Sequence, residues 1–423
     1  MKSARFASLF LLMSGLAAAA NWPAWRGPSG DGVTTETNLP LKWSATENVA
    51  WKTPLPDGGN STPIVWGESV FITQATEKGK KRALICFDRK DGKERWRHTV
   101  TWDKPELTHE TNPYCGSSPA TDGERVIAAH ASAGVVCVDF SGKELWRRDL
   151  GEQRHIWGAG ASPVISGDRV FLNFGPGPKS ALVCMNKSNG NIIWQHEEAG
   201  GASGEQLPGG AKAEWIGSWS DPLVRRIGDR EELITTWPGR LCAFDPATGR
   251  ELWTCSGLNP LIYTSPVFSD GIAVAMGGFN GKALAVKAGG NGDVTSTRLW
   301  LAEKTRQRIG SPVAYEGHLY ILTDPGFAEC RDLKTGAMVW EERLKGPGPT
   351  GQNWSSLVRS GDRLYAVNQG GDAFVFRASP KFELLATNPM GEKVIASIAV
   401  SDGRLFVRSY QHLWCIGGGN PGK

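Results

Sequence analysis

Residues able to do chemistry are few in this chain, and they fall in loops. The stretch Thr108-His109-Glu110-Thr111-Asn112 places an imidazole beside a carboxylate and a side-chain amide. His155 and Trp157 stand together in a second loop and Trp215 and Trp219 in a third, with Tyr263, Arg308 and Trp354 following singly. A histidine–carboxylate pair suits hydrogen bonding or proton handling, an arginine suits a carboxylate, and indole rings suit stacking on a flat group. Gathered at one rim, these residues fit a small polar or planar ligand. The same set also serves as ordinary solvated loop residues, with the indoles capping the ends of sheets.

No catalytic or metal-binding residue is assigned. His109-Glu110 has no second histidine at helical spacing, so it is not a zinc motif. Asp103, Glu110 and Asn112 offer oxygens of the kind calcium takes, without a calcium-loop pattern. There is no nucleophile elbow and no carboxylate pair with glycosidase spacing. The Gly-rich stretches 289–292 and 346–351 open onto strands or loops rather than helices, which argues against a phosphate cradle.

The elements that must position these loops are repeats. Cys86-Phe87-Asp88-Arg89-Lys90-Asp91-Gly92-Lys93-Glu94-Arg95-Trp96 is the clearest copy of a phrase that leads from a strand, through Asp or Asn and a Gly turn, to Trp. The Gly-to-Trp step recurs at Gly92/Trp96, Gly142/Trp146, Gly190/Trp194, Gly249/Trp253 and Gly336/Trp340. Between these copies lie Thr62-Pro63, Ser118-Pro119, Ser162-Pro163, Asp221-Pro222, Ser265-Pro266 and Ser311-Pro312, with Ser356 and Ser397 filling the slot without Pro. These slots are 41 to 59 residues apart. Four short antiparallel strands in such a period are the signature of a propeller blade. An all-β, eight-bladed propeller over residues 49–417 is expected, with seven blades as the alternative count because the seventh unit lacks its Trp. The eighth unit ends on a third strand at Leu413-Trp414-Cys415-Ile416, and Val49-Ala50-Trp51-Lys52 is expected to complete it, leaving no open edge. Residues 21–48 read as an irregular segment packed on the propeller, and 418–423 as a tail.

The repeated Asp-x-x-x-Gly-x-x-x-Trp phrase resembles the pyrroloquinoline-quinone-type (PQQ-like) propeller repeats. The resemblance runs from Val49 to Gly417 and implies eight blades with tryptophans docked between them. The superfamily holds quinoprotein dehydrogenases, with a quinone and calcium on the axis, and non-enzymatic members such as the lipoprotein subunit of the outer-membrane barrel-assembly machinery. The opening Trp22-Pro23-Ala24-Trp25-Arg26-Gly27-Pro28 and the 108–114 stretch are similar to exported bacterial propellers. Two departures stand out: no two cysteines are adjacent, as dehydrogenases of this type usually have, and no Cys follows the leader to carry a lipid.

Composition sets the compartment. Lys2 and Arg5, the apolar run Phe6–Leu16 and Ala18-Ala19-Ala20 form a secretory signal with cleavage near Ala20, so a periplasmic or secreted protein is expected. No later segment is long and apolar enough to be a membrane helix. The formal charge of +4 is too small and too dispersed for nucleic acid binding. Of eight cysteines, Cys86, Cys137, Cys184, Cys330 and Cys415 occupy one slot per repeat, with Cys242 a place earlier, which marks them as small apolar packing residues. Cys115 and Cys255 fall outside that pattern. The expected function is a binding or scaffold module, monomeric and without a cofactor, that meets a protein or small polar ligand at one rim. The alternative is a PQQ- and calcium-dependent dehydrogenase of an alcohol or sugar, with Arg308 pairing a cofactor carboxylate and a rim Trp stacked on its plane.

Overall fold

Eight four-stranded antiparallel sheets form around an axis, and the computed structural model describes residues 20–198 and 216–418. The expected leader therefore lies, apart from Ala20, outside the described residues, as do Trp215 and all of the expected tail but Gly418. Blade 1 takes its strands from 64–101, blade 2 from 120–148, blade 3 from 164–198 and blade 4 from 223–256. Blade 5 spans 267–302, blade 6 spans 313–343 and blade 7 spans 358–389. Blade 8 combines Ala399–Ser401, Arg404–Arg408 and His412–Ile416 with Val49–Pro54 from the other end of the chain. Trp51 lies opposite Cys415 and Lys52 opposite Trp414, so the last sheet is sealed by the first long strand.

Because each blade is covered on both faces, its inner strands are largely buried, with runs such as Val70-Phe71-Ile72 and Val126-Ile127-Ala128. Period-two alternation then divides one strand between two cores. In Ser69–Thr76, Phe71 packs with Val126, Ala128 and Val136 of blade 2, while Val70 and Ile72 pack with Phe406 and Cys415 of blade 8. All eight cysteines are free and buried, those of the repeat slot within these sheets. Burial pushes the Cys86 and Cys415 thiols up to about 11.

The repeated phrase is a docking device. Its Asp or Asn side chain accepts backbone N–H groups of its own turn, as Asp88 does from Lys90 and Asp332 from Lys334 and Thr335. A bulge then interrupts the register just before the Trp, for example between Glu144 and Trp146, and turns the ring toward the next blade. There the indole N–H donates to a turn carbonyl: Trp51 to Arg89, Trp96 to Phe140, and Trp146 to Lys187, each at 2.8 Å. Trp194, Trp300 and Trp340 repeat the bond to Pro246, Leu333 and Ser379. Trp253 departs from this pattern. The lengthened turn of blade 5 lays Gly292–Asp293 in parallel beside it, and its N–H goes instead to the Glu232 carboxylate of its own blade at 2.8 Å.

The turn glycine is required by contact as well as conformation. Gly142 has φ of +87°, and a Cβ there would stand 2.7 Å from the Trp96 ring. Gly142→Ala is expected to cost about 2–4 kcal/mol, from left-handed backbone strain plus overpacking. Gly167→Ala is the control, since φ is +58° and nothing lies within 4 Å of its Cβ. Its cost should stay near 1 kcal/mol. Equal losses for the two in urea unfolding would show that ring-on-turn packing is not what the glycine serves.

Residues 22–34 cross one end of the channel. Trp22 exchanges backbone hydrogen bonds with Val65 of blade 1, Pro23 O accepts from Thr121 N of blade 2, and Val33–Thr34 pairs in parallel with Arg359–Ser360 of blade 7. Arg26 is buried at the crossing, donating through Nη1 to Leu357 O at 2.8 Å and through Nη2 to Asp31 O and Pro312 O at 2.7 Å each. The segment therefore contains a short strand where the sequence suggests only irregular chain.

Candidate functional site

The Ser/Thr/Asp slots meet at the axis. At the start of each innermost strand a backbone N–H points toward the neighbouring blade and needs an acceptor. The side-chain oxygen of the next slot supplies it. Thr62 N donates to Ser118 Oγ, Ser118 N to Ser162 Oγ, Ser162 N to Asp221 Oδ1 and Asp221 N to Ser265 Oγ. Ser265 N then donates to Ser311 Oγ, Ser311 N to Ser356 Oγ, Ser356 N to Ser397 Oγ, and Ser397 N returns to Thr62 Oγ1, at 2.9–3.0 Å. This closed circle of eight bonds explains why every slot holds a small side chain that carries an acceptor. It was legible as a spacing, but its chemistry was not.

Asp221 is the one carboxylate in the circle. Burial pushes its pKa up to about 7, against the hydrogen bonds from Ser162 and the charge of Arg26, which pull it down. A raised folded-state pKa means that the protonated form is favoured by folding. The resulting stabilisation is complete below about pH 4 and is lost as pH rises through 7. Asp221→Asn should therefore gain stability over the parent protein between pH 4 and 8, by up to about 4 kcal/mol. His130 and His155 act in the opposite sense, because burial holds them neutral with values near 3 and 4. They are present in both proteins and cancel in the comparison. A parallel pair of pH–stability curves would count against the assignment.

Above the circle the channel opens into a funnel with about 1090 Å³ of empty space, part of it open to solvent. All eight loops entering the innermost strands line it. Asn112, Trp157, Trp219, Tyr263 and Trp354 are among the lining residues, as the loop reading expects. Trp219 donates from Nε1 to Gly158 O at 2.8 Å, and its ring lies 5.2 Å from Tyr263, which in turn meets Phe279. Trp354 Nε1 donates to Asp324 Oδ1 at 2.8 Å, and burial raises that carboxyl above its ordinary range. Asn112 Nδ2 ties down the neighbouring loop at Trp157 O and Ala159 O. His109 sits behind the lining, 4.5 Å from the Trp157 ring, with Nδ1 2.8 Å from Thr111 Oγ1. Glu110 is exposed at the rim.

Two expected site residues are elsewhere. His155 is 1% exposed and packed edge-on beneath Trp219 at 5.0 Å, with Nδ1 accepting from Trp157 N. It supports the mouth without lining it. Arg308 is fully buried and donates to Thr305 Oγ1 at 2.8 Å, while its neighbours Gln307 and Ile309 face the funnel. Three residues not singled out also take part: Trp25 reaches the funnel from the crossing segment, Phe279 joins the aromatic wall and Ile309 adds apolar surface beside it.

A PQQ-type quinone needs flat rings to stack on and cations to meet its carboxylates. The rings are present. The cations are not: Arg308 is turned away, no Lys or Arg is among the described lining residues, and Asp221 stands at the neck. The described residues also hold no group of three His, Cys, Asp or Glu that could take a metal ion. The residues present do not fit the group.

Comparison with known proteins finds similarity in sequence to one kind of propeller and in fold to two. The family model described as outer membrane protein assembly factor BamB matches residues 80–342. The outer membrane protein assembly factor BamB of Yersinia pestis is 24% identical over 332 residues, covering 73% of this chain and 75% of its own. The crystal structure of BamB from Moraxella catarrhalis superposes with a TM-score of 0.61 at 14% identity, over 88% of this chain and 98% of that one. The quinohemoprotein alcohol dehydrogenase of Comamonas testosteroni superposes with a TM-score of 0.63 at 12% identity, over 97% of this chain and 82% of that one. At such identities the structural likeness concerns the fold.

Proposed function

We propose that this chain, which belongs to the family described as outer membrane protein assembly factor BamB, is an exported, non-catalytic protein-binding scaffold for outer membrane protein assembly. It acts as a monomer in the periplasm and meets its partner at the funnel mouth. The observation that carries this reading is the asymmetry of the channel. One end is crossed and hydrogen-bonded by residues 22–34, while the other presents the unrepeated loops and a wall of half-buried aromatic rings. Aromatic surface with a polar rim is the composition of a contact centre. The apolar leader supports export, and no helix among the described residues is long and apolar enough to cross a membrane. A quinone dehydrogenase is the less favoured reading, because the lining lacks partners for an anionic cofactor.

A complementation experiment tests it. Loss of the protein should lower the amount of folded outer-membrane β-barrel protein, and the parent gene should restore it. Phe279→Arg, at a ring that is 44% exposed on the mouth, should restore less than about a tenth of the effect. Leu145→Arg, equally exposed on the outer edge of blade 2, should complement fully. Normal barrel levels in the absence of the protein, or full complementation by Phe279→Arg, would sink the proposal.

A further inference from the structure

We propose that the funnel is also a binding site for a small quaternary ammonium compound, its positive group held among Trp157, Trp219, Tyr263 and Trp354 and facing the Asp221 carboxylate at the neck. The faces of aromatic rings attract cations through their quadrupole, and the attraction grows where water is excluded. These rings are held in place, since the Trp219 and Trp354 N–H groups are committed to Gly158 O and Asp324 Oδ1 and Tyr263 rests against Trp219. Their polar edges are thus used by the protein itself. The described lining carries one ionisable carboxylate and no Lys or Arg, so its charge complements a cation and opposes an anion.

Of the other charges nearby, the carboxylates fit the same sign and Arg26 opposes it from beyond the neck. Arg26 lies across the circle of hydroxyls from the funnel, and Asp31 is its larger charge partner, ahead of Asp221. Asp324 stands behind Trp354 and Glu110 on the rim, while the His109 ring lies 4.5 Å from that of Trp157, tilted by 46°. The carboxyl of Asp221 sits near 7, so a cation placed above it draws it into the ionised form. Affinity should accordingly rise between about pH 6 and 8.

Choline and its uncharged isostere 3,3-dimethylbutan-1-ol are the probes, titrated into the purified chain by calorimetry and followed by tryptophan fluorescence. No assembly partner is needed, so failure here leaves the scaffold reading standing and success does not depend on it. Choline should bind saturably and about tenfold or more tightly than the isostere. Asp221→Asn, which keeps an acceptor for Ser162 N, should weaken choline about fivefold or more and abolish the pH dependence between 6 and 8. Trp354→Phe removes only the bond to Asp324 and part of the ring face, and should weaken choline by a smaller factor while the protein stays folded. Equal affinity for choline and the isostere would reduce the site to an apolar pocket and overturn the proposal. So would the absence of choline binding up to about 50 mM, or an Asp221→Asn protein that binds choline as the parent does.

Discussion

Deleting Val49–Pro54 should open the ring and produce the largest loss of stability of any six-residue deletion in the chain. The strand forms the outer edge of blade 8 and pairs along its length with His412–Ile416, with a bulge at Ala50. It also carries three side-chain attachments. Trp51 Nε1 donates to Arg89 O, Thr53 Oγ1 donates to Gly92 O at 2.7 Å, and Lys52 lies 2.6 Å from Glu392 and 4.0 Å above the Trp414 ring. Trp51→Ala alone should cost about 3–5 kcal/mol, the usual range for truncating a buried large aromatic residue. Full deletion adds the loss of a strand ladder and bares His412–Ile416 as an unpaired edge, which templates association. The deleted protein should elute as aggregates in size-exclusion chromatography and lose cooperative unfolding, and an added peptide spanning 46–57 should partly restore the monomer. A soluble monomer with an unchanged unfolding midpoint would show that the ring is not closed through this strand.

Arg26→Met should be the second most damaging change, with a cost of about 3–5 kcal/mol. The guanidinium serves three carbonyls, those of Asp31, Pro312 and Leu357, in a site where no other donor is shown to reach them. Methionine matches the volume of the aliphatic stem but leaves these buried acceptors unpaired, and each costs about 1–3 kcal/mol before relaxation. The fit is close, since a Cβ at Gly32 would meet the Arg26 guanidinium at 2.7 Å. Burial pulls the Arg26 pKa down to about 10 against the opposing charges of Asp31 and Asp221, so it remains charged at neutral pH. Chemical denaturation measures the loss. Limited proteolysis should show cleavage within 22–34 well before the blades are cut. A variant within about 0.5 kcal/mol of the parent would mean that this segment is held by its backbone bonds and Trp22 alone.

The contrast between these segments and the funnel shows where sequence reading succeeds. The Gly-to-Trp spacing and the Ser-Pro slots repeat because each blade meets its neighbour in the same way, so one packing problem is written many times. Unrepeated loops offer no such redundancy. Gln307, Arg308 and Ile309 are consecutive, yet only the first and third line the funnel, because successive side chains of extended backbone point to opposite sides. Arg308, the charged one, is turned away from the funnel into the protein. His155, expected at the rim from its place before the third blade, is a packing residue under Trp219. Trp25 lies more than thirty residues before the first slot at Thr62, and no local signal connects it with the mouth.

By itself the amino-acid sequence determined the eight blades, the closure by Val49–Pro54, the tryptophan docking and the burial of the repeat-slot cysteines. These follow from local periodicity and from contacts between adjacent repeats, which a single chain states plainly. Tertiary structure alone decided the direction in which each loop side chain points, the crossing of the channel by residues 22–34, and the hydrogen-bonded circle that puts Asp221 at the neck. Those features join residues as far apart as Arg26 and Leu357, or Thr62 and Ser397. Side chains so distant in sequence become neighbours only when the ring shuts, and the charge and shape of the funnel are properties of that closed ring.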